Sequence, residues 1–163
     1  MDRLEQLYKD LQPKLYAYFY IKTSNPSVAE DLTQDVFYEA SKKIHLYRGE
    51  ATLSTWLYSI ANNLLKKYYR SKKYDAALLE RIEGPTIIPV TTEDIVEIKQ
   101  EVATLWQHIQ TFDEQAKEIV LLRLYGELSF KDIADLIGKS ENYVRVTFHR
   151  LKLKLKEMGG SAT

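Results

Sequence analysis

Two stretches of this 163-residue chain carry side chains whose types and order suit nucleic acid. In the first, Lys66-Lys-Tyr-Tyr-Arg70-Ser-Lys-Lys-Tyr74 alternates cations with phenol rings, shortly after Trp56, Tyr58, Asn62 and Asn63. Rings that stack on unpaired bases, beside cations that follow phosphates, are the usual equipment for single-strand binding. In the second, a turn of about 100° per residue puts Val144, Phe148, Leu151 and Leu155 on one face of a helix. Asn142, Arg145, Val146, His149 and Arg150 then lie on or beside the other face. An amide, two guanidiniums and a small apolar group suit the major groove, where such groups meet base edges, phosphates and thymine methyls. Aromatic rings at helical spacing are also ordinary core, and that reading stays open for Trp56.

A third constellation is acidic. Asp31, Gln34, Asp35 and Tyr38 fall at i, i+3, i+4 and i+7 and share an outward helix face, whereas Leu32, Val36 and Ala40 form the inward stripe. Taken alone, the outward face is a solvated surface.

Catalytic and metal chemistry find little footing. With no cysteine there is no disulfide, thiol nucleophile or thiolate metal site. His45, His108 and His149 are far apart and show no ligand spacing. No nucleophile elbow, P-loop or glycine-rich phosphate cradle occurs, so neither an enzyme nor a cofactor is expected. The start, Met1-Asp-Arg-Leu-Glu5, lacks a signal peptide's apolar run, and no stretch approaches the roughly 20 apolar residues that span a bilayer. A cytoplasmic protein without membrane insertion is the expectation.

The elements that must position these residues are helical. The pattern predicts a helix from about Leu4 to Thr23, a break at Asn25-Pro26, and a second helix to about Ile44, with Ser27 as N-cap and Glu30 closing a capping box. After an irregular loop from His45 to Leu53, Ser54 is expected to cap a third helix that runs to about Lys73. Residues 75–94, with Gly84, Pro85 and Pro89, read as a linker. Ile95, Ile98, Val102, Leu105 and Ile109 open a second domain. There Asp113 is expected to cap the next helix, and Gly126 to end it in the left-handed conformation. Ser129 caps a short helix closed by Gly138, and only Lys139 and Ser140 precede the last helix, which makes a helix-turn-helix. The fold class is therefore all-α, two small helical domains joined by a flexible linker, the second containing the helix-turn-helix.

Charge follows this division. The chain is neutral overall, with 23 basic and 23 acidic side chains, yet residues 1–74 carry +4, 75–94 carry −4, 95–128 carry −3 and 129–163 carry +3. Local fields rather than the total decide attraction to phosphate.

Asp31-Leu-Thr-Gln-Asp-Val-Phe37, Thr55-Trp-Leu-Tyr-Ser-Ile-Ala-Asn-Asn63 and Leu128-Ser-Phe-Lys-Asp-Ile-Ala-Asp-Leu-Ile-Gly138, with Val144-Arg145 and His149-Arg150 beyond, resemble the extracytoplasmic-function sigma factors of bacterial RNA polymerase in order and spacing. The resemblance spans about 4–158. It implies that residues 1–74 bind core polymerase through Asp31, Leu32, Gln34, Asp35, Phe37 and Tyr38. It implies that the same domain captures and melts the single-stranded minus-ten element through Tyr47, Arg48, Trp56, Asn62, Asn63, Lys66, Lys67 and Arg70. Residues 95–158 would read the duplex minus-thirty-five element with Asn142, Arg145, Val146, Thr147, His149 and Arg150, ahead of a 159–163 tail. An anti-sigma factor is an expected partner. Val146-Thr147 and Lys67 depart from the residues usual in the family, which puts the sequence preference in question rather than the role. A stand-alone helix-turn-helix regulator is the rival reading, and it leaves Asp31-Leu-Thr-Gln-Asp35 without a purpose.

Overall fold

In the computed structural model, residues 3–75, 100 and 103–159 are described. The described residues form helices α1 (Arg3–Thr23), α2 (Pro26–Lys43), α3 (Leu53–Asp75), α4 (103–109), α5 (Glu114–Leu124), α6 (Phe130–Ile137) and α7 (Glu141–Gly159), with one 3₁₀ turn at Ile44–Leu46. The linker expected over 75–94, apart from Asp75, lies outside the described residues, as do Ile95, Ile98, Val102 and the 160–163 end of the tail.

The run Leu15-Tyr-Ala-Tyr-Phe-Tyr-Ile21 has no polar side, and a helix apolar all round must be covered all round. Every residue in it is buried. Helices α2 and α3 pack on α1 from one side. On the other, α5 meets it, so α1 is the shared centre of both domains.

The caps show how local chemistry chose the helix starts. Asn25, not Ser27, caps α2: its side-chain oxygen accepts from the Val28 N–H at 3.2 Å, and Pro26 occupies the first helical position, where a missing N–H costs nothing. Thr52, not Ser54, caps α3, accepting from the Thr55 N–H at 3.1 Å. The Ser54 hydroxyl instead donates to the Gly126 carbonyl of the second domain. In both cases the correction moves the cap two residues upstream, because the helix start was set by Pro26 and by the Thr52 side chain.

In the second domain Asp113 caps α5 through the Ala116 N–H and Ser129 caps α6 through the Asp132 N–H, as expected. Gly138 ends α6 at φ 73°, the left-handed conformation glycine adopts at little cost. Gly126 does not end α5 that way. Tyr125 is the right-handed C-cap, the left-handed residue is Glu127 at φ 55°, and Gly126 is small for a different reason. A Cβ there would lie 2.7 Å from the Leu122 carbonyl oxygen, 2.8 Å from Leu128 and 3.3 Å from the Tyr58 ring of the first domain.

Leu105, Ile109, Ile119, Ile133, Val144, Phe148, Leu151 and Leu155 close the second core. The expected inward face of α7 is the observed one.

Candidate nucleic-acid and partner interfaces

Helix α7 follows α6 after Lys139 and Ser140, and the Ser140 hydroxyl accepts from the Tyr143 N–H, so the turn is short and fixed. With Val144, Phe148, Leu151 and Leu155 buried, Asn142, Arg145, Val146, His149 and Arg150 are exposed together and Thr147 is half-buried. The Arg145 guanidinium lies 2.6 Å from Glu141 and 5.5 Å from the centre of the Phe130 ring. Its donors are thus aimed along the start of the helix, the part that enters a groove. Reading a base would exchange one acceptor, the carboxylate, for another.

Arg123 supports this face and escaped the sequence reading. It sits in the apolar run of α5, stacks 4.1 Å above the Phe130 ring and donates to the Leu128 carbonyl at 2.8 Å. Phe130 in turn packs near Phe148 and His149. A lone cation within Ile-Val-Leu-Leu-Arg-Leu was the signal available.

The 44–53 segment ahead of α3 folds into a cleft of about 360 Å³ lined by Leu46, Tyr47, Arg48, Glu50, Ala51 and Trp56. Tyr47 and Trp56 rings stand 5.5 Å apart at 46°, and the Tyr47 hydroxyl donates to the Ala51 carbonyl, which holds the loop closed on itself. The structure brings Tyr47, Arg48 and Trp56 together at this cleft. Asn63, Lys66, Lys67 and Arg70 are exposed further along α3, Asn62 is half-buried, and the side chains of Lys72 and Lys73 lie outside the described residues. Rings that stack on bases beside cations that follow phosphates are the equipment single-strand binding uses, and this cleft and the exposed cations of α3 offer both kinds of group.

On α2, Asp31, Gln34, Asp35 and Tyr38 are exposed, whereas Leu32 and Phe37 are buried. Phe37 meets the Tyr8 ring edge-on at 4.8 Å and anchors the helix. Partial burial raises the Asp35 carboxyl above its usual range, and the Asp31 and Glu39 carboxylates add to the rise. Glu39 is held down by Lys42 and Lys43, so the unrelieved negative charge is at Asp31 and Asp35, where a basic partner would be welcomed.

Among the described residues no group of three His, Asp or Glu side chains is placed to hold a metal ion, and no helix is long and apolar enough to cross a membrane.

Comparison with known proteins follows the same division. Residues 7–74 match the family model for Sigma-70 region 2, and residues 104–155 match that for Sigma-70 region 4. The chain is 33% identical to the RNA polymerase sigma factor YlaC of Bacillus subtilis, over 96% of this chain and 91% of that one. It is 29% identical to the ECF RNA polymerase sigma factor SigW of the same organism, over 93% and 84%. Its fold is similar to that of the sigma factor RpoE, solved in complex with the anti-sigma factor NepR from Bartonella quintana, with a TM-score of 0.73, 21% identity and 98% of each chain covered.

Proposed function

This chain belongs to the extracytoplasmic-function sigma factors, which direct bacterial RNA polymerase in transcription initiation, and from that premise we propose how its residues divide the work. Residues 1–74 act as region 2, 75–94 as a connecting linker, 95–158 as region 4 and 159–163 as a tail. The exposed α2 face of Asp31, Gln34, Asp35 and Tyr38 docks on core polymerase, with Leu32 and Phe37 holding that face in place from beneath. The Tyr47, Arg48 and Trp56 cleft takes a base extruded from the minus-ten element, since melting needs a pocket that rewards unstacking. Asn62, Asn63, Lys66, Lys67 and Arg70 follow the freed strand. Asn142, Arg145, Val146, Thr147, His149 and Arg150 read the minus-thirty-five duplex.

The observation that carries this reading is the α7 face: two guanidiniums, an amide and an imidazole exposed on a helix whose other side is fully committed to the core, behind a two-residue turn. The chain performs no catalysis of its own and works in the cytoplasm, where its polymerase is. An anti-sigma factor restrains it, a proposal supported by the likeness to RpoE, whose structure holds one. The stand-alone regulator is not favoured, because both sigma regions are matched and such a regulator leaves the α2 face idle.

Run-off transcription by core polymerase from a library of genomic fragments tests this. Addition of the full chain should produce transcripts from a small set of start sites that share a spaced pair of elements. Binding to DNA without binding to core polymerase would sink the sigma-factor reading in favour of a regulator.

A further inference from the structure

Two guanidiniums from different helices converge on one aromatic ring at the edge of the α7 face. Arg123 of α5 stacks 4.1 Å above the Phe130 ring at the start of α6, and Arg145 of α7 lies 5.5 Å from the centre of the same ring. Both distances fall inside the roughly 6 Å over which a cation is attracted to a ring face. Phe148 and His149 stand 5.9 Å and 6.1 Å from Phe130, so α7 hems the ring in as well. Arg123 also donates to the Leu128 carbonyl at 2.8 Å, which ties the end of α5 to the chain that enters α6 just before the ring. Arg123 and Phe130 are half-buried, whereas Arg145 is exposed.

We propose that Arg123 and Phe130 are positioning residues that set the base preference of Arg145 from outside the helix that carries it. The proposal rests on the reading of α7 as the minus-thirty-five helix. An exposed arginine that swings freely can answer a wrong base by turning to a phosphate or to the next base pair, so it attracts DNA without choosing. In this chain its directions are narrowed from two sides, by the Glu141 carboxylate at 2.6 Å and by the Phe130 ring. Glu141 shares α7 with Arg145 and is itself exposed, so it fixes the fork only relative to its own helix. Phe130 belongs to α6 and is pinned by α5, so it fixes the fork relative to the body of the domain. Arginine suits position 123 because one planar group can cover the ring and donate to a carbonyl together, which an ammonium does not do.

The test measures holoenzyme made with each variant of the full chain on matched promoters that differ at single minus-thirty-five positions, with a salt titration on each. Arg145→Ala identifies the base pair that its side chain reads. Phe130→Leu keeps an apolar side chain and removes the ring. It should lower discrimination at that same pair about two- to fivefold, the worth of an exposed cation–ring contact, and leave the other positions unchanged. In the Arg145→Ala background it should lower nothing further. Arg123→Met should act as Phe130→Leu does with the salt slope unchanged, and Arg123→Lys should fail to keep the preference. If thermal unfolding shows that Phe130→Leu does not fold, the two Arg123 variants carry the test. A uniform loss of binding in Arg123→Met, with a salt slope lower by about 0.9 and no loss in Arg123→Lys, would make Arg123 a phosphate contact and overturn the proposal. Equal relaxation at every position would mean a loosened helix and would overturn it too. Relaxation in Arg145→Ala alone overturns the positioning but keeps the reading of α7, whereas an unchanged preference in Arg145→Ala overturns both.

Discussion

Arg145 and Lys66 are both exposed cations, and what separates them is the surface each belongs to. Arg145 stands near the start of a helix with a rigid, buried back, stacked over Phe130 and oriented by Glu141. Lys66 stands on a helix whose neighbours are other cations and rings. A planar fork held in one direction can discriminate a base, whereas a flexible ammonium senses charge. Arg145→Ala should therefore relax preference at one or two minus-thirty-five positions by about 1–3 kcal/mol. Lys66→Ala should weaken binding to all promoters alike and lower the salt slope by about 0.7–0.9. Salt titration of holoenzyme on matched promoter variants measures both, and the reverse pattern would exchange the two assignments.

At the scale of the element, α2 and α3 show how one helix serves fold and partner at once. The back of α2 is Ala29, Leu32, Val36, Phe37 and Ala40, all buried, and its front is the acidic face. Replacing Asp31, Gln34 and Asp35 together by alanine should leave helicity intact and shift stability by no more than about 0.5 kcal/mol per site, while core polymerase binding falls. A large drop in melting temperature would show that the face stabilises the fold instead. For α3 the cap decides. Thr52→Ala should cost about 1 kcal/mol, roughly 2–4 °C for a chain of this size, because the Thr55 N–H loses its acceptor. Ser54→Ala should change much less, its hydroxyl making only a 3.4 Å contact. Thermal unfolding of the two variants side by side settles which residue is the cap.

Over the whole molecule, the packing of the two domains hides a phenol hydroxyl that nothing in the described residues satisfies. Burial pushes the Tyr58 hydroxyl well above its ordinary pKa, and the nearby Glu127 carboxylate pushes the same way, so it stays neutral and its cost is that of an unmade hydrogen bond. Tyr58→Phe removes the hydroxyl and keeps the ring against Gly126. The variant should be as stable as the parent or more so. A loss of more than about 1 kcal/mol in urea unfolding would reveal a partner for that hydroxyl.

Sequence alone determined the helical fold class, the buried faces of α2 and α7, the two-residue turn of the helix-turn-helix and the caps at Asp113 and Ser129. These follow from periodicity and from contacts within four residues, so they are properties of short windows. The same windows set the exposed faces on which the site residues lie, since a face is what the stripe leaves over. Ser27, Ser54 and Gly126 were misread because an equally good signal lay one or two positions away, and only the folded backbone chose between them. Tertiary structure decided what no window contains. Tyr18 meets Glu118 and Thr55 meets Asp132 across 100 and 77 residues, and Arg123 rises over Phe130 only once α5 and α6 cross. Tyr18 looks like one more aromatic in an apolar run, and Glu118 like one more solvated acid. Their meaning appears when α1, apolar on every side, is covered from two directions and one cover is the other domain.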